Sequence, residues 1–245
     1  MPRQLPRIKH FRLKPDYVIA GKYRVIELLG AGWEGEVYLV EEFGTGIVRT
    51  AKIFFPQRNR GDRNLKNYAR RLHRLRQCPI VIQYHAMETM QFKNLRISVL
   101  ISEYVEGELL LTFLKSQRGG RLNPFQALHL LHALTRGIES IHAAREYHGD
   151  LHTENVVVQR FGLGFELKLL DMFNWGAPSS ENYRHDIINL IRVFYDVLGG
   201  APHYARQPPE VKAICCGLKR GLILKKFRTA AQLRNHIETM EWHRC

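Results

Sequence analysis

Residues 148–155 read His-Gly-Asp-Leu-His-Thr-Glu-Asn and place several side chains that can handle protons or metal ions in one short stretch. Asp150 and Asn155 are five residues apart, and Asp171 follows sixteen residues after Asn155. Carboxylate and amide oxygens are ligands that Mg²⁺ prefers, and a carboxylate can also accept or orient the proton of a reacting hydroxyl. In a tight loop, Asp150 and Asn155 can both point towards one site.

A glycine-rich stretch lies upstream of this loop, between two segments of alternating apolar residues. Gly30, Gly32 and Gly35 allow backbone amides to approach phosphate oxygens, and Val37 follows two residues later. Lys52 lies fifteen residues after Val37, in a third strand-like segment, where its ammonium can bind phosphate. A glycine loop, then a lysine, then the acidic residues is the order that phosphoryl transfer from a nucleotide requires.

The surrounding segments predict an α+β chain with two lobes of different character. The first lobe is expected to hold one helix, at residues 65–75, and a five-stranded antiparallel sheet from strands at 23–29, 36–40, 48–54, 81–88 and 97–103. The second is expected to be mainly helical, with a hairpin at 155–158 and 167–170 and helices at 124–144, 186–198, 209–220 and 229–242. Residues 1–21 are interpreted as a basic, poorly ordered extension before lobes at 22–105 and 106–245, and a nucleotide-binding cleft is expected between the lobes.

The composition is that of a globular protein, because 45% of the 245 residues are hydrophobic and 24% are charged. No run of about 18 apolar residues occurs, which argues against a membrane span. The basic N-terminus has no apolar stretch behind it and is not a secretory signal. The four cysteines show no zinc-binding spacing, so we expect reduced thiols and a cytoplasmic protein.

The formal net charge of +14 comes from 37 Lys and Arg against 23 Asp and Glu, and much of the excess lies in residues 1–24 and 58–76. Such a surface attracts an acidic protein, nucleic acid or anionic lipid. The alternative is a solvated basic face with no dedicated partner. Since no nucleic-acid-binding motif accompanies the charge, direct nucleic-acid binding lacks support. The partner that we expect is a protein substrate that is acidic or associated with nucleic acid.

On these motifs, residues 22–240 resemble a compact eukaryotic-type serine/threonine protein kinase. The resemblance implies a bilobal fold, with ATP and Mg²⁺ as cofactors. It also implies a role for each motif: Asp150 as the catalytic base, Asn155 and Asp171 as metal ligands, Lys52 as the ligand of the α- and β-phosphates, and Gly30, Gly32, Gly35 and Val37 as the flap over ATP. Residues 99–107 resemble the hinge between the lobes, where Glu103 and Val105 would bind adenine through their backbones and the small Ser102 would lie behind the base.

The sequence departs from that family at the helix after Lys52, which should carry a glutamate to pair with the lysine. Ala69 stands near the expected position, and Asp62 is the only acidic residue between Ile53 and Met87. An unpaired buried ammonium is costly. Lys52 is therefore expected to rely on Asp171, on another carboxylate such as Glu88, or on the nucleotide.

Further departures surround the catalytic loop. Gly149 replaces an arginine, so activation by phosphorylation of the following segment is not expected, and His152 replaces a lysine. Asp171-Met172-Phe173 replaces Asp-Phe-Gly, and only fourteen residues separate Asp171 from Asp186, which shortens the segment that positions a peptide. His148 is expected to be a buried structural imidazole, and Asp186 resembles the buried carboxylate that anchors the loop.

Three functions stay open at this point. The leading hypothesis is an ATP- and Mg²⁺-dependent protein kinase that phosphorylates Ser or Thr hydroxyls. A small-molecule alcohol kinase of the aminoglycoside or choline type would use the same aspartate and asparagine, and the missing peptide platform favours it. A pseudokinase that recruits a partner through its basic face is favoured by the missing helix glutamate and opposed by Asp150, Asn155 and Asp171.

Overall fold

The computed structural model describes residues 7–161 and 164–241. The chain divides into two compact units: one contains the chain up to Arg76 together with Ile82–Tyr104, and the other contains Gln77–Val81 and the chain from Val105 onward. The first six residues of the proposed extension, Gly162 of the expected hairpin turn, Trp242 of the last expected helix and Cys245 lie outside the described residues.

The first unit is built on an antiparallel sheet with the strand order β1-β2-β3-β4-β6-β5. Its elements are β1 (Val18–Ile19), β2 (Tyr23–Ala31), β3 (Gly35–Glu42), β4 (Val48–Phe54), α1 (Arg63–Arg74), β5 (Tyr84–Phe92) and β6 (Leu95–Glu103). The sheet has six strands where five were predicted, because Val18 and Ile19 pair with the start of β2. A strand of two residues is too short to show an alternating pattern.

The core of this sheet follows from the alternation along its central strands. Tyr38 and Val40 on β3 are fully buried, as are Ala51 and Ile53 on β4. The antiparallel register pairs Val37 with Lys52 and Gly35 with Phe54. Residues directly opposite each other in such a pair project to the same face of the sheet. The register of β3 and β4 therefore sets which glycine-loop residues lie beside the lysine.

The segment before β1 is packed against the sheet, which differs from the poorly ordered extension expected there. Phe11 is buried and stacks on Phe55 with ring centroids 5.4 Å apart, and its ring also meets the Phe92 ring at 5.2 Å. Ile8 is buried as well, and its backbone N–H donates to the Gln57 side chain at 3.2 Å. The apolar residues of this basic segment therefore extend the core of the first unit.

A buried carboxylate on β3 binds this segment. Glu36 is 1% exposed, and it accepts hydrogen bonds from the backbone N–H of Phe11 at 3.1 Å and of Arg12 at 3.3 Å. The Tyr38 hydroxyl donates to the same carboxylate and accepts from the Leu13 N–H at 3.1 Å. Burial, together with the hydrogen bond to Glu36, raises the pKa of Tyr38 well above its ordinary value. Tyr38 therefore keeps its proton and acts as a donor to Glu36.

Replacing Glu36 with glutamine is expected to lower the free energy of unfolding of the first unit by about 2–3 kcal/mol. The amide loses the charge that strengthens these buried hydrogen bonds, and it offers one acceptor oxygen where the carboxylate offers two. Urea denaturation measures the change. The control is Glu41→Gln on the same strand, where an exposed ion pair with Arg24 is expected to contribute less than about 1 kcal/mol. Equal midpoints for the two variants would contradict the role of Glu36.

The second unit contains a small antiparallel sheet in the order β7-β8-β9 and seven α-helices among its described residues. The strands are β7 (Glu108–Leu109), β8 (Val156–Phe161) and β9 (Phe165–Leu169). The helices are α2 (Leu110–Ser116), α3 (Pro124–Ala143), α4 (Ser180–Val197), α5 (Ala201–Tyr204), α6 (Pro209–Cys215), α7 (Arg220–Lys226) and α8 (Ala230–Thr239).

Side-chain caps fix where the two long helices of this unit begin. Asn123 accepts from the Gln126 N–H at 2.9 Å before α3, as its sequence position predicted. Ser179 makes the corresponding capping box with Asn182 before α4, so that helix starts six residues earlier than its apolar pattern indicated. Over the ranges that the structure describes, no helix is both long and apolar enough to cross a bilayer.

Candidate active site

The glycine loop is the turn that joins β2 to β3 in the first unit. The Gly32 N–H donates to the Gly35 carbonyl at 2.9 Å, which closes the turn. A Cβ on Gly35 would lie 2.0 Å from the Ile53 carbonyl oxygen, so only glycine fits there. At the tip of the turn, the ring centroid of the exposed Trp33 lies 3.9 Å from the Arg58 guanidinium carbon. These contacts hold the turn against the chain that follows β4.

Gly30 and Gly32 differ from Gly35 in what surrounds them. A Cβ built on either residue would meet no other atom within 4 Å. Packing within the protein therefore does not require glycine at these two positions. Backbone amides that must approach a phosphate closely do benefit from the missing side chain, so this space fits the phosphate-binding role expected of the loop.

Lys52 lies in β4 directly opposite Val37 and is 8% exposed. Its ammonium forms an ion pair with the Glu34 carboxylate at 3.1 Å. The ammonium also lies 5.5 Å from the Phe54 ring centroid and 5.2 Å from the Tyr68 ring centroid. The lysine is thus held by a carboxylate from the glycine loop and by two aromatic faces, which attract a cation electrostatically.

Glu34 is the functional candidate that sequence reasoning missed. In the helix after Lys52, where the family resemblance implies a glutamate, Tyr68 next to Ala69 presents its ring to the ammonium. Glu88, one of the carboxylates considered, forms an ion pair with Lys22 at 2.7 Å. Glu34 could have been found from the register of β3 and β4, because the pairing of Gly35 with Phe54 brings residue 34 close to the end of β4, the strand that carries Lys52.

The residues expected to bind adenine lie where the first unit ends and the second begins. Glu103 is the last residue of β6, and its N–H donates to the Gln83 carbonyl at 2.8 Å, while its side chain accepts from the Gln83 N–H at 3.0 Å. Ser102 before it is 2% exposed. Val105 belongs to the second unit and is buried. The roles of Glu103 and Val105 towards adenine stay predictions.

The loop at 148–155 brings Asp150 and Asn155 together. The Asn155 amide donates to the Asp150 carbonyl at 2.8 Å and lies 3.3 Å from the Asp150 carboxylate. Asn155 is buried, whereas half of the Asp150 side chain is exposed. His152, at the position where the family resemblance implies a lysine, has its Nε2 3.7 Å from the Asp150 carboxylate. The buried amide therefore fixes a carboxylate that solvent or a substrate can reach.

Backbone hydrogen bonds tie the region of Asp171 to the same loop. The Leu170 N–H donates to the Asn155 carbonyl at 2.9 Å, and the Phe173 N–H donates to the His148 carbonyl at 3.0 Å. The fully buried His148 ring contacts the Leu170 carbonyl at 2.9 Å, which confirms its structural role. Asp171 itself has a φ of +44°, a left-handed conformation that is unfavourable for a residue with a side chain. Such local strain is typical of functional positions.

A third carboxylate anchors the loop from helix α4. Asp186 is fully buried and accepts hydrogen bonds from the backbone N–H groups of His148 and Gly149, both at 2.8 Å. The His142 ring lies 3.0 Å from the same carboxylate. The expectation that Asp186 ties the loop to the helical lobe is therefore confirmed.

The donor set of this loop fits Mg²⁺. Asn155 uses its amide nitrogen in both hydrogen bonds to Asp150, so its carbonyl oxygen is the atom that remains for a cation. Asp171 supplies a carboxylate, and both donors are the hard oxygen ligands that Mg²⁺ prefers. Mg²⁺ is commonly held by one or two such side chains together with phosphate oxygens and water. The small number of protein ligands is therefore the number expected for a metal that is bound with a nucleotide.

Comparison with known proteins agrees with this geometry. Residues 23–196 match the family model described as the protein kinase domain. The chain is 33% identical over 164 residues, 65% of its length, to serine/threonine-protein kinase pkn2 of Myxococcus xanthus, and 24% identical over 180 residues, 72% of its length, to serine/threonine-protein kinase PrkC of Bacillus subtilis. The kinase domain of Mycobacterium tuberculosis PknI shares the fold, with a TM-score of 0.63 and 20% identity over 92% of this chain and 97% of that one.

The aligned part of the chain corresponds to 19% of the length of pkn2 and 26% of the length of PrkC. What this chain has in common with them is thus a domain and not the whole protein. That domain spans the glycine loop, the loop that carries Asp150 and Asn155, and Asp171. With more than half of its residues matched to the family model, the chain belongs to the protein kinase family.

Proposed function

We propose that this chain transfers the γ-phosphoryl group of ATP to Ser or Thr hydroxyls of proteins, in a reaction that depends on Mg²⁺. One observation carries the proposal: Asp150 is partly exposed in a loop that the Asn155 amide and the buried Asp186 carboxylate hold from two sides. Functional side chains are commonly held in place by surrounding hydrogen bonds, and here two buried polar side chains hold the loop that carries one accessible carboxylate.

In the first unit, Lys52 and the glycine loop are proposed to bind the phosphates of ATP. The lysine supplies a buried ammonium, and the space around Gly30 and Gly32 supports close approach of phosphate oxygens to the backbone. Val37, opposite Lys52 in the register, is proposed to pack against the adenine. The backbone of Glu103, the last residue of β6, is proposed to bind the same base, and Val105 at the start of the second unit is proposed to do so as well.

In the second unit, Asp150 is proposed to orient the acceptor hydroxyl and to take its proton. Mg²⁺, when bound by Asn155 and Asp171, would neutralise the negative charge of the phosphate oxygens. Asn155 thus has two tasks: its nitrogen holds Asp150, and its oxygen serves the metal. Because one side chain has both tasks, the distance between Asp150 and the metal ligand is fixed.

The acceptor is proposed to be an acidic protein, or a protein associated with a polyanion. The support comes from the basic face of α1, whose exposed members are Arg63, Lys66, Arg70, His73 and Arg74. No acidic residue lies within α1 to offset this charge. A surface of one sign raises the local concentration of partners of the opposite sign, and the effect weakens as salt screens it.

A reducing compartment, the cytoplasm, is proposed as the place of action. The thiols of Cys78, Cys215 and Cys216 are free, as is usual where disulfides are kept reduced. Burial raises the pKa of Cys215 to about 12, so this thiol is an inert part of the core.

The proposal is tested by incubating the protein with Mg²⁺ and γ-labelled ATP, together with a generic acidic protein or a generic basic protein, and by identifying the labelled amino acid after hydrolysis. Phosphoserine and phosphothreonine are expected. The acidic protein is expected to be labelled faster, with an advantage that shrinks as the salt concentration rises. Label on tyrosine, or ADP release on a small alcohol without any protein label, would contradict the acceptor that we propose.

Glu34→Gln is expected to lower kcat/KM for ATP about tenfold, which corresponds to about 1.4 kcal/mol. The change removes the negative charge 3.1 Å from the Lys52 ammonium, so the lysine is oriented less strictly for the phosphates. Steady-state kinetics with varied ATP concentration measure the effect.

Glu27→Gln is the matched control, because Glu27 is an exposed carboxylate of β2 in the same sheet and is expected to leave the kinetics unchanged. A Glu34→Gln variant that binds ATP more tightly than the wild type would assign the opposite role to Glu34. The carboxylate would then compete with the phosphates for Lys52 and would not position the lysine for them.

A further inference from the structure

The short segment after Asp171 is bound to the catalytic loop by a set of hydrogen bonds within the second unit. The Trp175 N–H donates to the Tyr147 hydroxyl at 2.6 Å, and that hydroxyl donates to the Gly176 carbonyl at 3.0 Å. Tyr147 is fully buried, so its hydroxyl is held in place and anchors the turn of the segment at Trp175 and Gly176. Gly176 has a φ of +104°, which allows the turn at this point.

Trp175 makes a second contact, this time through its side chain. The indole N–H donates to the Gly149 carbonyl at 3.0 Å, and the ring lies 4.6 Å from the Phe173 ring, centroid to centroid. Yet 61% of Trp175 is exposed to solvent. A tryptophan placed this way contributes little to a core, so its hydrogen bond to Gly149 is the contact that distinguishes it from other aromatic residues.

Gly149 is shaped to receive this contact. Its φ is +83°, and a Cβ at this position would lie 2.9 Å from the Phe173 carbonyl oxygen and 3.0 Å from both the Trp175 indole and the Tyr147 ring. An arginine or any other residue with a side chain would therefore push the segment away. The glycine that departs from the family pattern and the tryptophan that packs on it form one structural unit.

The hydrogen bond acts on the peptide group that leads into Asp150. The Gly149 carbonyl and the Asp150 N–H belong to the same planar peptide group. Trp175 holds the carbonyl at one edge, and the His148 ring nitrogen lies 3.3 Å from the N–H at the other. On the preceding peptide group, the Gly149 N–H is held by Asp186. The backbone at Asp150 is thereby fixed from three directions.

We propose that Trp175 is a positioning residue for Asp150, and that its indole gives the catalytic loop a permanent lock that makes phosphorylation of the following segment unnecessary. The inference rests on the proposed kinase function. The lock is part of the folded chain at all times, so the loop is expected to be in its working conformation as soon as the protein folds. No residue of the segment needs to be modified first.

Trp175→Phe is the test, because phenylalanine keeps a ring beside Phe173 and removes only the indole donor. We expect kcat to fall about tenfold, the KM for ATP to stay within about twofold, and the melting temperature to change by less than about 2 °C. Phosphatase treatment of the wild type is expected to leave kcat unchanged. The control is Phe125→Leu, since Phe125 is an aromatic residue on α3 that is exposed to a similar extent, 69%.

Hydrogen exchange at the amides of residues 148–151 supplies a readout that does not need activity. Exchange at these amides is expected to rise in Trp175→Phe and to stay unchanged in Phe125→Leu. If the wild type is active and Trp175→Phe has the same kcat, Trp175 does not position Asp150. If phosphatase treatment lowers the kcat of the wild type more than about tenfold, the segment does need phosphorylation. Either result would overturn the role of Trp175 and leave the kinase function standing. An inactive wild type would overturn both the kinase function and the role of Trp175. Unchanged hydrogen exchange at residues 148–151 in Trp175→Phe would by itself overturn the role of Trp175.

Discussion

Asp150→Asn is expected to slow phosphoryl transfer by about a thousandfold while the protein stays folded. Asparagine has the same shape and can keep the hydrogen bond between the Asn155 amide and the backbone at position 150. It lacks the negative charge that we propose orients the acceptor hydroxyl and accepts its proton, and a positioned base contributes about 10²–10⁴ in rate. Initial rates with saturating Mg²⁺-ATP measure the loss, and the rise in melting temperature on adding Mg²⁺-ATP is expected to be the same as in the wild type.

Glu154→Gln is the control for that experiment, because Glu154 is an exposed carboxylate in the same loop. Its removal changes the local charge by the same amount and is expected to alter the rate by less than about threefold. If Asp150→Asn kept more than a tenth of the wild-type rate, Asp150 would not be the base. A loss of equal size in both variants would indicate a general charge effect near the loop.

Asp186→Asn is expected to lower the free energy of unfolding by about 3–5 kcal/mol, the cost usually found when a buried charge network loses one partner. The carboxylate accepts from two backbone N–H groups at 2.8 Å and contacts His142 at 3.0 Å. An amide has a single acceptor oxygen, and its own N–H groups would face one of these donors. Chemical denaturation measures the change, and the remaining folded protein is expected to transfer phosphoryl groups slowly, because the loop around Asp150 loses its anchor.

Asp196→Asn on the same helix is the matched control. Burial raises the pKa of Asp196 in spite of the nearby Arg192, so its surroundings as a whole disfavour the charged form. Its conversion to an amide is therefore expected to change stability by less than about 1 kcal/mol. Equal destabilisation in the two variants would show that α4 is merely sensitive to substitution and that Asp186 has no special role.

The parts of the fold that the sequence predicts well are those whose signals are local. The glycine turn between two alternating segments, the cap at Asn123 and the tight loop at 148–155 all depend on neighbours within a few residues. The burial of His148 was expected, the anchoring role of Asp186 was implied by the family resemblance, and the structure confirms both. The kinase fold itself follows from the order of these local motifs along the chain.

The parts that were missed depend on pairings between distant segments. Glu34 reaches Lys52 only because the register of β3 and β4 brings the glycine turn to that strand. The segment around Phe11 has a basic composition that indicates a solvated extension, whereas the partners that hold it are distant in sequence: the Glu36 carboxylate 25 residues further on, and the rings of Phe55 and Phe92. Trp175 and Gly149 are separated by 26 residues, and nothing in either local sequence reveals that they form a hydrogen bond.

The most direct measurement is transfer of the γ-phosphoryl group from labelled Mg²⁺-ATP in a single turnover, with the wild type and Asp171→Ala side by side and with binding of Mg²⁺-ATP measured on both. We expect labelled protein acceptor from the wild type and a loss of transfer of at least about a thousandfold in Asp171→Ala, because the variant lacks a proposed metal ligand. Equal transfer by both proteins would contradict the assigned site. Binding of Mg²⁺-ATP by the wild type without any transfer to protein would contradict the kinase function itself.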